Sequence, residues 1–154
     1  MKNIKDYNLD SLKEEFINMG EKPFRAEQVF KWLYEEKVKE FDEMTNLSLA
    51  LREKLKENYT MCNFNILKKQ ESSDGTKKYL FDILDGNAIE TVLMSYHHGY
   101  SLCVSSQVGC KMGCKFCAST GIQFARNLTS GEIVEQILAV EQDNNIRISN
   151  IVFM

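Results

Sequence analysis

The feature that most constrains this chain lies between an apolar run at Leu102–Ser105 and a helix start at Thr129. Four of its five cysteines, Cys103, Cys110, Cys114 and Cys117, fall within fifteen residues there. Thr129 with Glu132 three positions on is the pattern of a capping box. The helix it opens, from Ser130 to about Gln142, predicts a buried face of Ile133, Val134, Ile137 and Leu138. The run SNIVFM that follows reads as a buried parallel strand. Strand, loop, helix and strand make a β-α-β unit, which places the cysteines beyond the C-terminal end of a strand. Parallel sheets bind their ligands at that end. A two-stranded parallel ribbon would leave an apolar edge unpaired, so the sequence is expected to be the front portion of a longer protein.

Two further blocks precede this unit. Residues 3–60 read as helical. Asn8 or Asp10 caps a first helix with Leu9, Leu12, Phe16 and Met19 on one face and Gly20 as its stop. Pro23 opens a second helix carrying Phe24, Val29, Phe30, Leu33 and Tyr34 at helical spacing, and a third runs near Leu47–Tyr59. The aromatic stripe around Phe30, Trp32 and Tyr34 is the core of a helix bundle on this reading. Residues 62–105 read as strands, with Asp74-Gly75 and Asp85-Gly86 as hairpin turns. The expected strands are KKYLFDIL, AIETVLM and SLCVSS, with His97 to Gly99 as the last turn. The fold class is therefore α+β passing into α/β.

Charge says little about partners. The net charge is −3, and the one net-positive stretch, residues 61–128, holds seven Lys/Arg against five Asp/Glu. Such an excess is also what a solvated face shows. No apolar run is long enough to span a membrane, and the first residues lack the apolar segment of a secretory signal. A cytoplasmic, reducing location is expected, where clustered thiols bind metal or do redox work more often than they form structural disulfides. The odd cysteine count agrees.

Cys110, Cys114 and Cys117 have the spacing C-x3-C-x2-C. Three thiolates can hold three irons of a cubane and leave the fourth iron free. Electron-transfer clusters usually take four cysteines, and structural zinc also takes four ligands, commonly in two C-x2-C knuckles. Here the second knuckle is missing, although a zinc site or a structural iron-sulfur module without catalysis stays open on spacing alone. Cys103, seven residues ahead, is either a buried strand cysteine or a separate reactive thiol. Cys62 is expected in the core.

The spacing, with Phe116 just before the last cysteine, resembles the radical S-adenosylmethionine enzymes. The wider segments LCVSSQVGCKMGCKFCAST, GIQFARNLTSGEIVEQI and NIVFM, with FRAEQVFKWLY in the helical block, resemble the RlmN/Cfr family of adenine-C2 RNA methyltransferases, and RlmN more closely. That resemblance implies a helical accessory domain at 1–60, a strand-rich connecting segment at 61–100 and the start of a partial (βα)6 barrel at 101–154. It implies a 4Fe-4S cluster on Cys110, Cys114 and Cys117, with S-adenosylmethionine chelating the open iron and Phe116 against the cofactor's adenine. It implies that Cys103 forms a transient disulfide that resolves an enzyme–RNA adduct, and that Glu90 accepts a proton. By strand alternation Glu90 shares a face with Ala88, Val92 and Met94. Burial there would raise its pKa; a rim glutamate is the plainer reading.

The implied substrates are 23S ribosomal RNA and transfer RNA, with Lys111, Lys115 and Arg126 as candidate phosphate contacts. The implied electron donor is a flavodoxin or ferredoxin, and a monomer is expected. The methyl-carrying cysteine near the family's C-terminus and the later barrel strands have no counterpart in these residues, so this chain by itself is expected to bind a cluster and not to turn over.

Overall fold

The structure, a computed structural model, describes residues 1–154. The chain divides into two compact units, Met1–Asn63 and Phe64–Met154.

The first unit is helical. The Asn8 side chain accepts the Ser11 amide at 2.8 Å, capping α1 (Leu9–Asn18), and Pro23 occupies the first turn of α2 (Pro23–Tyr34), where a missing N–H costs nothing. Ser48 caps α3 (Leu49–Asn58) by accepting the Leu51 amide. Leu12, Phe16, Val29, Leu33, Leu51 and Leu55 form the core, and Phe30, Trp32 and Tyr34 pack against it. The aromatic stripe is thus a packing surface. A short parallel pair, β1 (Lys2–Asn3) with β2 (Tyr59–Thr60), brings the two ends of the unit together. Lys5 is nearly buried there, its ammonium donating to the Cys62 carbonyl at 2.8 Å and to Asn63 Oδ1 at 3.3 Å. Burying a cation demands such acceptors. Cys62, expected in the core, is half-buried beside it.

The second unit is built on one five-stranded sheet. Its strands are β3 (Asn65–Glu71), β4 (Lys77–Asp82), β5 (Ala88–Tyr96), β6 (Gly99–Val104) and β9 (Ile148–Phe153), in the spatial order β3-β4-β5-β6-β9. The first four run antiparallel as hairpins, turning at Gly75 and Gly86 with φ of 83° and 86°, and at His97-His98. β6 and β9 are parallel, joined through β7 (Gln107–Val108), β8 (Arg126–Asn127) and α4 (Ser130–Asn144). The β-α-β unit is present, but it is not a separate ribbon. The strands on either side of residue 100, β5 and β6, are neighbours in this sheet, with Val92 opposite Cys103. β3 carries a register irregularity between Ile66 and Lys68 and is exposed at every position.

Tyr79, Phe81, Ile89, Thr91, Leu93, Leu102 and Val104 make the buried face of this sheet. Register places them across from one another: Tyr79 meets Thr91 and Phe81 meets Ile89. The opposite face holds Lys78, Leu80, Glu90, Val92 and Cys103, all exposed or half-buried.

The helix α4 has the predicted capping box, with Thr129 Oγ1 accepting from Glu132 N and Glu132 from Thr129 N. Its buried face differs from the expected one. Glu135, Gln136, Leu138 and Val140 are buried, while Ile133, Val134 and Ile137 are only half-buried. Long-range hydrogen bonds cause the rotation. The Phe64 amide donates to Glu135, and Gln136 bonds into the sheet. A buried polar side chain whose partners are all in place costs little to desolvate.

Candidate functional site

At its C-terminal end β6 reaches Ser105, and the chain leaves the sheet. It forms β7, runs through the cysteine segment and returns as β8, which is antiparallel to β7. Residues 109–125 therefore form a loop with a closed neck. The neck bonds are Ala125 N to Val108 O and Leu128 N to Ser106 O, both 2.9 Å. Gly109 sits in the neck at φ 71°, and a Cβ there would lie 2.1 Å from the Gln123 carbonyl oxygen. Only glycine permits that approach.

Cys110, Cys114 and Cys117 are all on this loop. All three are free thiols; Cys117 is exposed and the other two are half-buried. Local turns order the segment, with Cys117 N on Cys114 O at 3.1 Å and Thr120 N on Cys117 O at 3.0 Å. The Met112 amide donates to Cys110 Sγ at 3.4 Å. As donors they fit a cluster in kind, number and accessibility. Their sulfurs are not gathered, however, and no three Cys, His, Asp or Glu side chains of the chain converge as a ready ligand set. Nothing in the bare polypeptide draws three thiols together, and metal binding commonly completes such a loop.

Phe116 is 94% exposed at the loop tip, so it does not pack the loop. Lys111 lies over the Phe124 ring, 4.2 Å from its centroid. Lys115 is exposed. Arg126 is not available to a phosphate as expected: its guanidinium is spent on Asp85 at 2.6 and 2.8 Å and on both oxygens of Glu132 at 2.7 and 2.8 Å. Those bonds, Glu132's first, hold Arg126 firmly charged. Burial would push Asp85 and Glu132 up, but Arg126 outweighs it and both lie below the usual carboxylate range.

Cys103 and Glu90 share the open face of the sheet on neighbouring strands. Cys103 stands opposite Val92 on one side and Val152 on the other, and Glu90 is two residues from Val92. Such diagonal neighbours lie about 7–8 Å apart. Glu90 is the rim glutamate of the plainer reading. Its side chain is 51% exposed and pairs with Lys78 Nζ at 3.1 Å. The Cys103 thiol is pushed up by burial, so it is protonated at neutral pH. Alkylation by iodoacetamide at pH 7 is accordingly expected to be roughly tenfold slower at Cys103 than at exposed Cys117. Peptide mass spectrometry resolves the two, and equal rates would mean that Cys103 is not shielded.

A strand-end loop of three free thiols, ahead of a capped helix and a parallel strand, is the arrangement expected of a radical S-adenosylmethionine enzyme. A solved structure agrees: a radical SAM methyltransferase from Sphaerobacter thermophilus superposes with a TM-score of 0.87 at 35% identity, over 99% of this chain and 47% of that one.

Along its whole length the chain matches the N-terminal portion of RlmN-family proteins. Residues 2–61 match the family described as the ribosomal RNA large subunit methyltransferase N-terminal domain. A probable dual-specificity RNA methyltransferase RlmN of Clostridium novyi is 52% identical over all of this chain and 45% of its own length. The corresponding protein of Bacillus velezensis is 50% identical over 98% of this chain and 42% of its own. The chain thus spans less than half the length of these relatives. No helix is long and apolar enough to cross a membrane.

Proposed function

We propose that this chain carries the accessory unit and the cluster-binding start of a radical S-adenosylmethionine methyltransferase that methylates C2 of adenosine in 23S ribosomal RNA and transfer RNA. The observation that carries the reading is the loop of three free thiols at the end of β6, in a chain matched throughout by RlmN relatives. When bound, the cluster supplies one electron to S-adenosylmethionine. Cys110, Cys114 and Cys117 hold it, and Phe116, projecting from the same loop, is placed to meet the cofactor's adenine.

C2 of adenine lies between two ring nitrogens and is electron-poor, so a radical route to it is chemically reasonable. The open sheet face suits the later steps. Cys103 attacks as a thiolate only after losing the proton that burial makes it keep, and Glu90, on the adjacent strand, is a carboxylate within reach of that face. Lys111 and Lys115 are the remaining cations of the loop for RNA phosphates, Arg126 being engaged. A flavodoxin or ferredoxin fits the need for single electrons.

Anaerobic reconstitution with iron and sulfide tests the reading. A reduced-cluster paramagnetic signal that shifts on adding S-adenosylmethionine is expected. Bound zinc with no iron signal would support a structural module instead. Mass spectrometry of incubated RNA should find no C2-methyladenosine from these residues alone, which span less than half the length of the relatives.

A further inference from the structure

Two side chains one turn apart on α4 grip the two ends of the cysteine loop. On the outgoing side, Gln136 is fully buried and treats Ser105 as a strand would. Its Oε1 accepts the Ser105 amide at 2.8 Å and its Nε2 donates to the Ser105 carbonyl at 2.9 Å. Thr91 Oγ1 donates to the same Oε1 at 2.7 Å, fixing the amide's orientation. On the returning side, Glu132 receives Arg126 through both carboxylate oxygens, and Arg126 also reaches Asp85 in the β4–β5 turn. Residue 126 is in β8, one position beyond the neck bond at Ala125. Positions 132 and 136 are an i,i+4 pair and therefore stand on one face.

We infer that Arg126 and Gln136 are positioning residues for the cluster: together with Asp85 and Glu132 they clamp both feet of the 109–125 loop to the end of β6. This rests on the cluster reading given above. The three cysteines are close enough in sequence to gather on a cluster by themselves. What local spacing cannot do is hold that cluster over the sheet end and keep the loop from peeling away. A bidentate guanidinium–carboxylate pair fixes direction as well as distance, and the half-buried Glu132 makes it stronger than an exposed pair. The clamp requires nothing of the loop tip, which stays free to close on the metal.

The test uses the whole chain, reconstituted anaerobically, in the forms Arg126→Gln, Arg126→Lys, Asp85→Asn and Lys69→Gln. The last breaks a comparable ion pair, Lys69 to Asp143, far along the same helix. Release of iron to a chelator is expected to quicken about five- to thirtyfold in Arg126→Gln and by less in Arg126→Lys and Asp85→Asn. It should not change in Lys69→Gln. Without iron, hydrogen exchange at the Ala125 and Leu128 amides should rise in the same order. Asp85→Asn retains the Glu132 pair, so it folds even where Arg126→Gln does not. A parent chain that holds iron, with release equal in all four variants, overturns the clamp alone. A parent chain that takes up no cluster overturns the reading of the loop and the clamp with it.

Discussion

Replacement of Cys114 by alanine is expected to reduce iron from about four per chain to nearly none after anaerobic reconstitution. Cys114 is the middle ligand of three, and its carbonyl also anchors the local turns through Cys117 N and Thr120 Oγ1. With no fourth thiol on the loop, two remaining cysteines cannot hold a cubane. Cys62 lies in the other unit, and Cys103 is on the strand, with a protonated thiol. The corresponding change at Cys103 should leave iron binding intact, because its proposed work is chemical. If Cys114→Ala kept its iron while Cys103→Ala lost it, the ligand assignment would be wrong.

The second large effect is expected at Gly109. An alanine there meets two obstacles. The left-handed φ of 71° costs roughly 1–3 kcal/mol for a residue with a Cβ, and that Cβ would press on the Gln123 carbonyl oxygen and the Phe124 backbone. Backbone cannot swing aside as a side-chain tip can, so the neck must open. Thermal unfolding of the chain should fall by several degrees. Amide exchange should rise at Ala125 and Leu128 and stay unchanged in the helical unit, whose core is separate. Gly121→Ala is the comparison: it shares a positive φ, 101°, but has open space around its Cβ. Equal losses from the two variants would show that backbone strain alone, and not the close approach, matters at the neck.

Local chemistry made much of this architecture readable in advance. Asn8 and Pro23 mark helix starts by satisfying, or lacking, N–H groups within a few residues. The capping box at Thr129 and Glu132 and the two Asp-Gly turns act over equally short spans. The features that escaped depend on partners far away in sequence. Gln136 is buried because Thr91 and Ser105 await it, and Glu135 because Phe64 does. Periodicity counts both as polar, and so turned α4 onto Ile133 and Ile137. Nothing near Arg126 in sequence shows that the Asp85 turn, 41 residues away, engages it. The neck strands β7 and β8 are two residues each, too short to show alternation. In the candidate site, the identity and order of the thiols were legible; the shared face of Glu90 and Cys103 was not, because it depends on the register of β5 against β6. The sulfur positions were not, since they follow from what the loop binds.

The two margins of the sheet have opposite characters. Along β3, Lys68 and Lys69 beside a register fault make a poor template for another strand. Along β9, Ile151, Val152 and Phe153 present an unbroken apolar strand with one side of its backbone unmatched. Of the two edges, β9 is therefore the better template for strand pairing. In solution the chain should be prone to self-association along that β9 margin.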